Sequence, residues 1–118
     1  MKQDNYVYME DRPWGSFCVI KEDSSYKIKK IEIKPGHRLS YQYHNNRSEV
    51  WVIIQGKGVI TLDGTVNKYN KGDTILIPKG MKHRIENQGN DKTIFIEVQT
   101  GTYFGEDDIV RLEDDYNR

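Results

Sequence analysis

The stretch Tyr41-Gln42-Tyr43-His44-Asn45-Asn46-Arg47-Ser48-Glu49 holds a histidine and a glutamate five positions apart, and a second histidine, His83, follows in Lys79-Gly80-Met81-Lys82-His83-Arg84. Residues two apart on a β-strand share a face. Gln42 and His44 would therefore point the same way, as would Glu49, Trp51 and Ile53, and later His83, Ile85 and Asn87. In a closed barrel the inward faces point at one cavity, where two imidazoles, one carboxylate and one amide oxygen could meet. Such a set suits Zn²⁺ or another first-row divalent ion. On the residues alone a second reading stays open, in which these are surface or hydrogen-bonded side chains of an ordinary β protein.

The rest of the chain must supply the strands. Short segments of alternating apolar and polar residues predict them at about 16–21, 26–33, 39–44, 49–54, 57–62, 65–69, 74–77, 82–87 and 92–99. Between them lie PGH, QGKG, LDGT, NKGD, PKG and NQGND, each with the Gly, Asn, Asp or Pro that a turn requires. A hairpin at Asn45-Asn46-Arg47-Ser48 is expected to join the strand of His44 to that of Glu49. So many short strands imply an antiparallel sandwich or barrel. Only GEDDIVRLEDDYNR at the C-terminus departs, and its acidic residues after Gly105 predict a short helical turn including Ile109, Val110 and Leu112.

Composition narrows the function classes. A chain of 118 residues is expected to form one domain. Eighteen basic and eighteen acidic residues cancel, so no global field draws nucleic acid. The single cysteine, Cys18 in FCVI, forms no intrachain disulfide and reads as a small core hydrophobe. The N-terminal MKQDNYVYME has no apolar leader core and no run reaches the length of a membrane span, so a cytoplasmic protein is expected.

The spacings resemble those of the cupin family. Its first motif runs Gly, five residues, His-x-His, three or four residues, Glu, six residues, Gly. Here Gly36 is followed by five residues, Gln42-Tyr43-His44, four residues, Glu49, six residues and Gly56. In the second motif Gly72, Pro78, Gly80, His83 and Asn87 meet every position, and 15 residues separate the two. Gln42 is the one departure from the ten fixed positions. These glycines would sit at strand ends, where corners need unusual backbone angles. The resemblance implies an all-β fold, a single cupin (jelly-roll) β-barrel over residues 1–118, with the short helical turn at its C-terminus.

Within cupins, Gln-x-His together with RPWGSF, KPG, RLSYQYH, IPKGMKHRIEN, IEVQTG and YFGEDDIVRLEDDY is similar to the isomerase domain of the bifunctional (type II) mannose-6-phosphate isomerases, over about residues 12–118. That resemblance implies interconversion of mannose 6-phosphate and fructose 6-phosphate through an enediol. Gln42, His44, Glu49 and His83 would hold a divalent ion, with zinc foremost and manganese, cobalt, nickel or iron also suited. Glu97 is the candidate base, against the alternative of an ordinary exposed strand residue, and Gln99 shares its face as a substrate contact. Of Arg12, Arg38, Arg47, Arg84 and Arg111, the expected phosphate ligand is Arg47, nearest the mouth of the cavity, followed by Arg12 and Arg111. Trp14 and Tyr43 are expected in the core or an interface.

The family's bifunctional enzymes also carry a nucleotidyltransferase domain, and these 118 residues hold no glycine-rich nucleotide loop of that kind, so a stand-alone isomerase domain is expected. Glu49-Val50-Trp51 stands where the family usually has Glu-His-Trp, and Asn45 and Asn46 stand where it often has further histidines. If that histidine shuttles protons, its absence bears on activity. The alternatives are an isomerase or epimerase of another activated sugar in polysaccharide synthesis, and a non-catalytic metal- and sugar-binding module. Pairing of cupins through their outer sheets implies a homodimer; neither nucleic acid nor membrane is an expected partner.

Overall fold

A computed structural model describes residues 7–116. The reading of the N-terminus rests mainly on residues 1–6, which lie outside the described residues. The strands are β1 (Tyr8–Arg12), β2 (Gly15–Glu22), β3 (Tyr26–Ile33), β4 (Tyr41–Tyr43), β5 (Arg47–Gln55), β6 (Lys57–Leu62), β7 (Thr65–Asn70), β8 (Thr74–Ile77), β9 (His83–Glu86), β10 (Thr93–Gly101) and β11 (Val110–Glu113). They form two antiparallel sheets, one ordered β1-β2-β3-β10-β5-β8 and the other β11-β4-β9-β6-β7. This is the cupin jelly roll.

Apolar alternation explains most of these strands. β3 and β5 bury every second residue, and Ile33, Ile53, Ile60 and Ile85 are fully enclosed, each contributing about 1.5–3 kcal/mol of burial. Trp51 packs against Phe95 with ring centroids 4.7 Å apart. The inner face of the six-stranded sheet changes character along its length. Ile31, Ile33, Ile53 and Phe95 fill one end, while Lys27, Lys29, Arg47, Glu49, Glu97 and Gln99 are buried at the other. The register rows Lys29–Glu97–Trp51 and Lys27–Gln99–Glu49 mark where oil gives way to charge.

Two strands escaped the sequence pattern. β1 and β11 bury no side chain fully, so neither carries an apolar alternation; pairing with β2 and β4 creates them. The helical turn is a single 3₁₀ turn at Glu106–Asp108, and Val110 and Leu112, expected within it, belong to β11. The hairpin expected at 45–48 is instead a corner between sheets, since β4 pairs with β9 and β11 while β5 pairs with β10 and β8. Arg47 and Ser48 already lie in β5. Cys18 is half-buried on the outer face of β2, because Phe17 and Val19 take the inward positions. Gly56 turns the chain at φ +75°, and a Cβ there would lie 2.7 Å from the Lys92 carbonyl oxygen.

Candidate functional site

The polar end of the sandwich holds the metal-type cluster. β4 leads into His44, β5 carries Glu49 and β9 begins with His83. All three are buried, and one donor atom from each lies within 4.8 Å of the others. Glu49 Oε2 is 3.2 Å from His44 Nε2, and Glu49 Oε1 is 3.9 Å from His83 Nε2. Gln42 pairs directly with His83 across β4 and β9 and lines the same cavity as His44 and Glu49.

Neighbours fix how these groups present themselves. His83 Nδ1 donates to the Met81 carbonyl at 2.9 Å, and His44 Nδ1 contacts the Asp108 carbonyl at 3.3 Å. With its Nδ1 proton so engaged, a neutral His83 ring turns its Nε2 lone pair toward Glu49. His83 Nε2 is a buried atom with no hydrogen-bond partner among the described residues. His44 Nε2 lies 3.2 Å from a Glu49 carboxylate oxygen, where a single proton or cation can sit between the two. Burial holds the His83 imidazole below its ordinary pKa, hence neutral and able to ligate. Burial opposes ionisation of Glu49, yet its hydrogen bond with His44 and the charges around it hold the carboxyl well below the usual range. Two buried imidazoles and a firmly ionised carboxylate fit a divalent ion.

Further contacts brace the carboxylate. Trp51 Nε1 donates to Glu49 Oε1 and Arg47 Nε to Glu49 Oε2, each at 2.9 Å. Arg47 Nη2 donates to His44 Nε2 at 3.3 Å, while Nη1 finds no partner among the described residues. Arg47 was expected at the mouth. It is only 3% exposed, drawn inward because β5 begins at that residue and turns alternate positions to the interior.

Glu97, with the exposed-strand alternative, is 5% exposed and lines the cavity. Burial, reinforced by the nearby charge of Glu49, pushes its carboxyl up to about 8. Gln99 is fully buried and donates from Nε2 to Glu97 Oε1 at 2.6 Å, so its contact is with the candidate base. Arg12 and Arg111 line the cavity. Arg38 and Arg84 lie elsewhere, bound to Asp115 and to Glu113. Trp14 is buried and also lines the cavity, and Tyr43 is half-buried in β4. The cavity itself is small, about 50 Å³, and opens at its mouth to solvent.

Val50 lies on the opposite face of β5 from Glu49 and Trp51, between Val98 and Leu76. A histidine at this position would face away from the cavity, so the valine leaves the cluster's donors unchanged.

Sequence reasoning missed three residues here. Lys29 on β3 lines the cavity at 5% exposure, and Glu106 reaches it from the 3₁₀ turn. Asp108 closes the corner that carries His44: its carboxylate accepts from Asn45 N at 3.1 Å, Asn46 N at 2.9 Å and Asn46 Nδ2 at 3.1 Å. The alternation of YKIKKIEI does place Lys29 on one face with Ile31 and Ile33. Nothing in the sequence announces a contact spanning the 62 to 64 positions between Asp108 and the corner.

Comparison with known proteins bears on the site. The family described as mannose-6-phosphate isomerase C-terminal matches residues 1–114. A mannose-1-phosphate guanylyltransferase of Salmonella montevideo is 43% identical over 107 residues, which cover 91% of this chain and 23% of that protein. The xanthan biosynthesis protein XanB of Xanthomonas campestris pv. campestris (strain B100) is 41% identical over 107 residues, with 91% and 23% covered. Among solved structures, the capsular polysaccharide assembling protein CapF from Staphylococcus aureus superposes with a TM-score of 0.75 at 27% identity, over 90% of this chain and 34% of that one. The chain therefore spans less than a quarter of the length of these two sequence relatives.

Proposed function

The chain belongs to the mannose-6-phosphate isomerase C-terminal family, and on that premise we propose that it is an aldose–ketose isomerase interconverting mannose 6-phosphate and fructose 6-phosphate through an enediol. The observation that supports this reading is a cavity lined by His44, Glu49 and a second buried carboxylate, Glu97, with His83 completing the cluster behind them. His44, Glu49 and His83, with the Gln42 amide oxygen, would hold a divalent ion, zinc being best matched to the donor set. When bound, such an ion supplies Lewis-acid stabilisation of charge on the sugar oxygens.

The protein's own groups carry the proton. The ionised form of Glu97 takes the proton from C2 of the aldose and returns it to C1 while a hydroxyl proton passes from O2 to O1, with Gln99 holding the carboxylate in position. Arg47, braced on Glu49 and His44, presents its unpartnered Nη1 to a substrate oxygen. Arg12 and Arg111 bind the phosphate. The buried site restricts water, which protects the enediol from side reactions.

The likeness to CapF supports a second reading, an isomerase or epimerase of another activated sugar in polysaccharide synthesis. We further propose a homodimer through the outer face of the six-stranded sheet. There Leu76, Val50, Val98 and Ile28 form one apolar row across four strands, and Leu76 is 66% exposed.

The deciding assay is fructose 6-phosphate formation from mannose 6-phosphate by zinc-loaded protein, beside a chelator-treated sample. Turnover that disappears on chelation is the expected result. No turnover from protein that still binds zinc would overturn the isomerase reading in favour of a different sugar.

A further inference from the structure

At the rim of the cavity, two cations share an aromatic platform and the Glu106 carboxylate, and Arg12 is also paired closely with Glu10 from its own strand. The Arg12 guanidinium carbon lies 5.0 Å and Lys29 Nζ 4.4 Å from the centroid of the Phe17 ring. Glu106 bridges them, with Oε1 3.8 Å from Arg12 Nη2 and Oε2 3.6 Å from Lys29 Nζ. All four residues line the cavity.

These contacts are loose. Both exceed hydrogen-bonding distance, although Lys29 is 5% exposed and a buried ammonium is costly unless closely paired. The Glu106 side chain is 47% exposed, so it can swing into water without disturbing the core. Its turn stays in place because Asp108 is fastened to the 44–46 corner. The balance of charge also favours an incoming anion. Four cations, Arg12, Lys29, Arg47 and Arg111, line one cavity with three carboxylates, Glu49, Glu97 and Glu106. Two buried lining residues, Trp14 and Arg47, each keep an N–H without a partner among the described residues.

We propose that Arg12 and Lys29 form the anion-receiving end of the cavity, and that Glu106 is a built-in carboxylate occupying it until the anionic group of a ligand displaces it. The proposal rests on the sugar-phosphate reading of the site and adds to it Lys29 as a phosphoryl ligand and Glu106 as an internal competitor. Phosphate, with more charge and three oxygens, makes short charge-assisted hydrogen bonds where the carboxylate makes only long contacts. Substrates lacking an anionic group would not displace Glu106, so the same residue discriminates against free sugars.

The test is calorimetric titration of zinc-loaded wild type, E106Q, K29M and K29R with inorganic phosphate and with mannose 6-phosphate. Removing a half-screened competitor should tighten phosphate binding in E106Q by roughly three- to tenfold. K29M should weaken both ligands and K29R should restore most of the loss, while zinc affinity stays constant across the set and reports intact folding. Unchanged or weaker phosphate binding in E106Q, or wild-type affinity in K29M, would overturn the proposal. The two readings can fail separately. Mannose 6-phosphate turnover with a KM indifferent to Glu106 and Lys29 would remove the anion site and leave the isomerase. Tighter phosphate binding in E106Q without turnover would keep the anion site and remove the isomerase.

Discussion

Asp108 offers the sharpest test of how the C-terminal segment serves the metal-type cluster. Its carboxylate accepts three hydrogen bonds from Asn45 and Asn46, and its backbone carbonyl meets His44 Nδ1. Replacement by alanine removes all three side-chain bonds and frees the corner that aims His44. Hydrogen bonds to a charged acceptor are worth about 1.5–3 kcal/mol each where buried. Asn45 and Asn46 are exposed and can turn to water, so the combined loss should be only about 2–3 kcal/mol. For a domain of this size that lowers the melting temperature by about 8–12 °C. Releasing a partner of a ligating histidine should also weaken zinc binding by about 10- to 100-fold. D108N keeps one acceptor oxygen and should fall between the two. The assays are thermal unfolding in EDTA and zinc titration against a competing chromogenic chelator. A D108A protein that melts lower but binds zinc within about twofold of wild type would show that the turn only staples the fold, and would refute its role in orienting His44.

Other outcomes follow from the same geometry. E49Q and H83A should each abolish zinc binding, read by metal content after dialysis; full occupancy in both would sink the ligand set. Burial opposes ionisation of Glu106, but Lys29, Arg47 and Arg12 hold its carboxyl below the ordinary value. The stability it contributes is therefore present above the unfolded pKa of about 4.3 and fades as pH falls through the folded one; carboxyl ¹³C titration should show K29M moving Glu106 upward, and identical titrations would count against it. G56A should cost about 2–4 kcal/mol in urea unfolding, because it combines positive φ with a Cβ driven into the Lys92 carbonyl. L76R should convert a dimer to monomer in sedimentation velocity, and a wild type that sediments as a monomer would discard the outer-face pairing.

Much of the fold was legible in the chain because its signals are local. Alternation along YKIKKIEI and EVWVII sets which residues turn inward, and the intervening glycines mark corners that only positive φ satisfies. The spacing of Gln42, His44, Glu49 and His83 likewise survives in one dimension, since each sits at a fixed step from a strand end. Edges were silent: β1 and β11 bury no complete face, so only the neighbouring strand's unpaired backbone decides that they form.

Sheet membership lay beyond the sequence as well, because Asn45-Asn46 reads equally as a hairpin or as a corner. Only packing of the two sheets makes it a crossover, and so places Arg47 on the floor of the cavity, where the sequence had put it at the mouth. The polarity of Lys29 and Glu97 argues for solvent, yet each is buried because strand alternation commits its face to the interior. Glu106 and Asp108 belong to a turn whose own sequence says only that it is acidic. Their roles arise from contacts with Arg12, Lys29 and the 44–46 corner, dozens of residues away. The sequence determined which groups could do chemistry, because spacing and alternation are properties of the chain. Which groups hold, aim and screen them depended on distance in space, which only the closed sandwich defines.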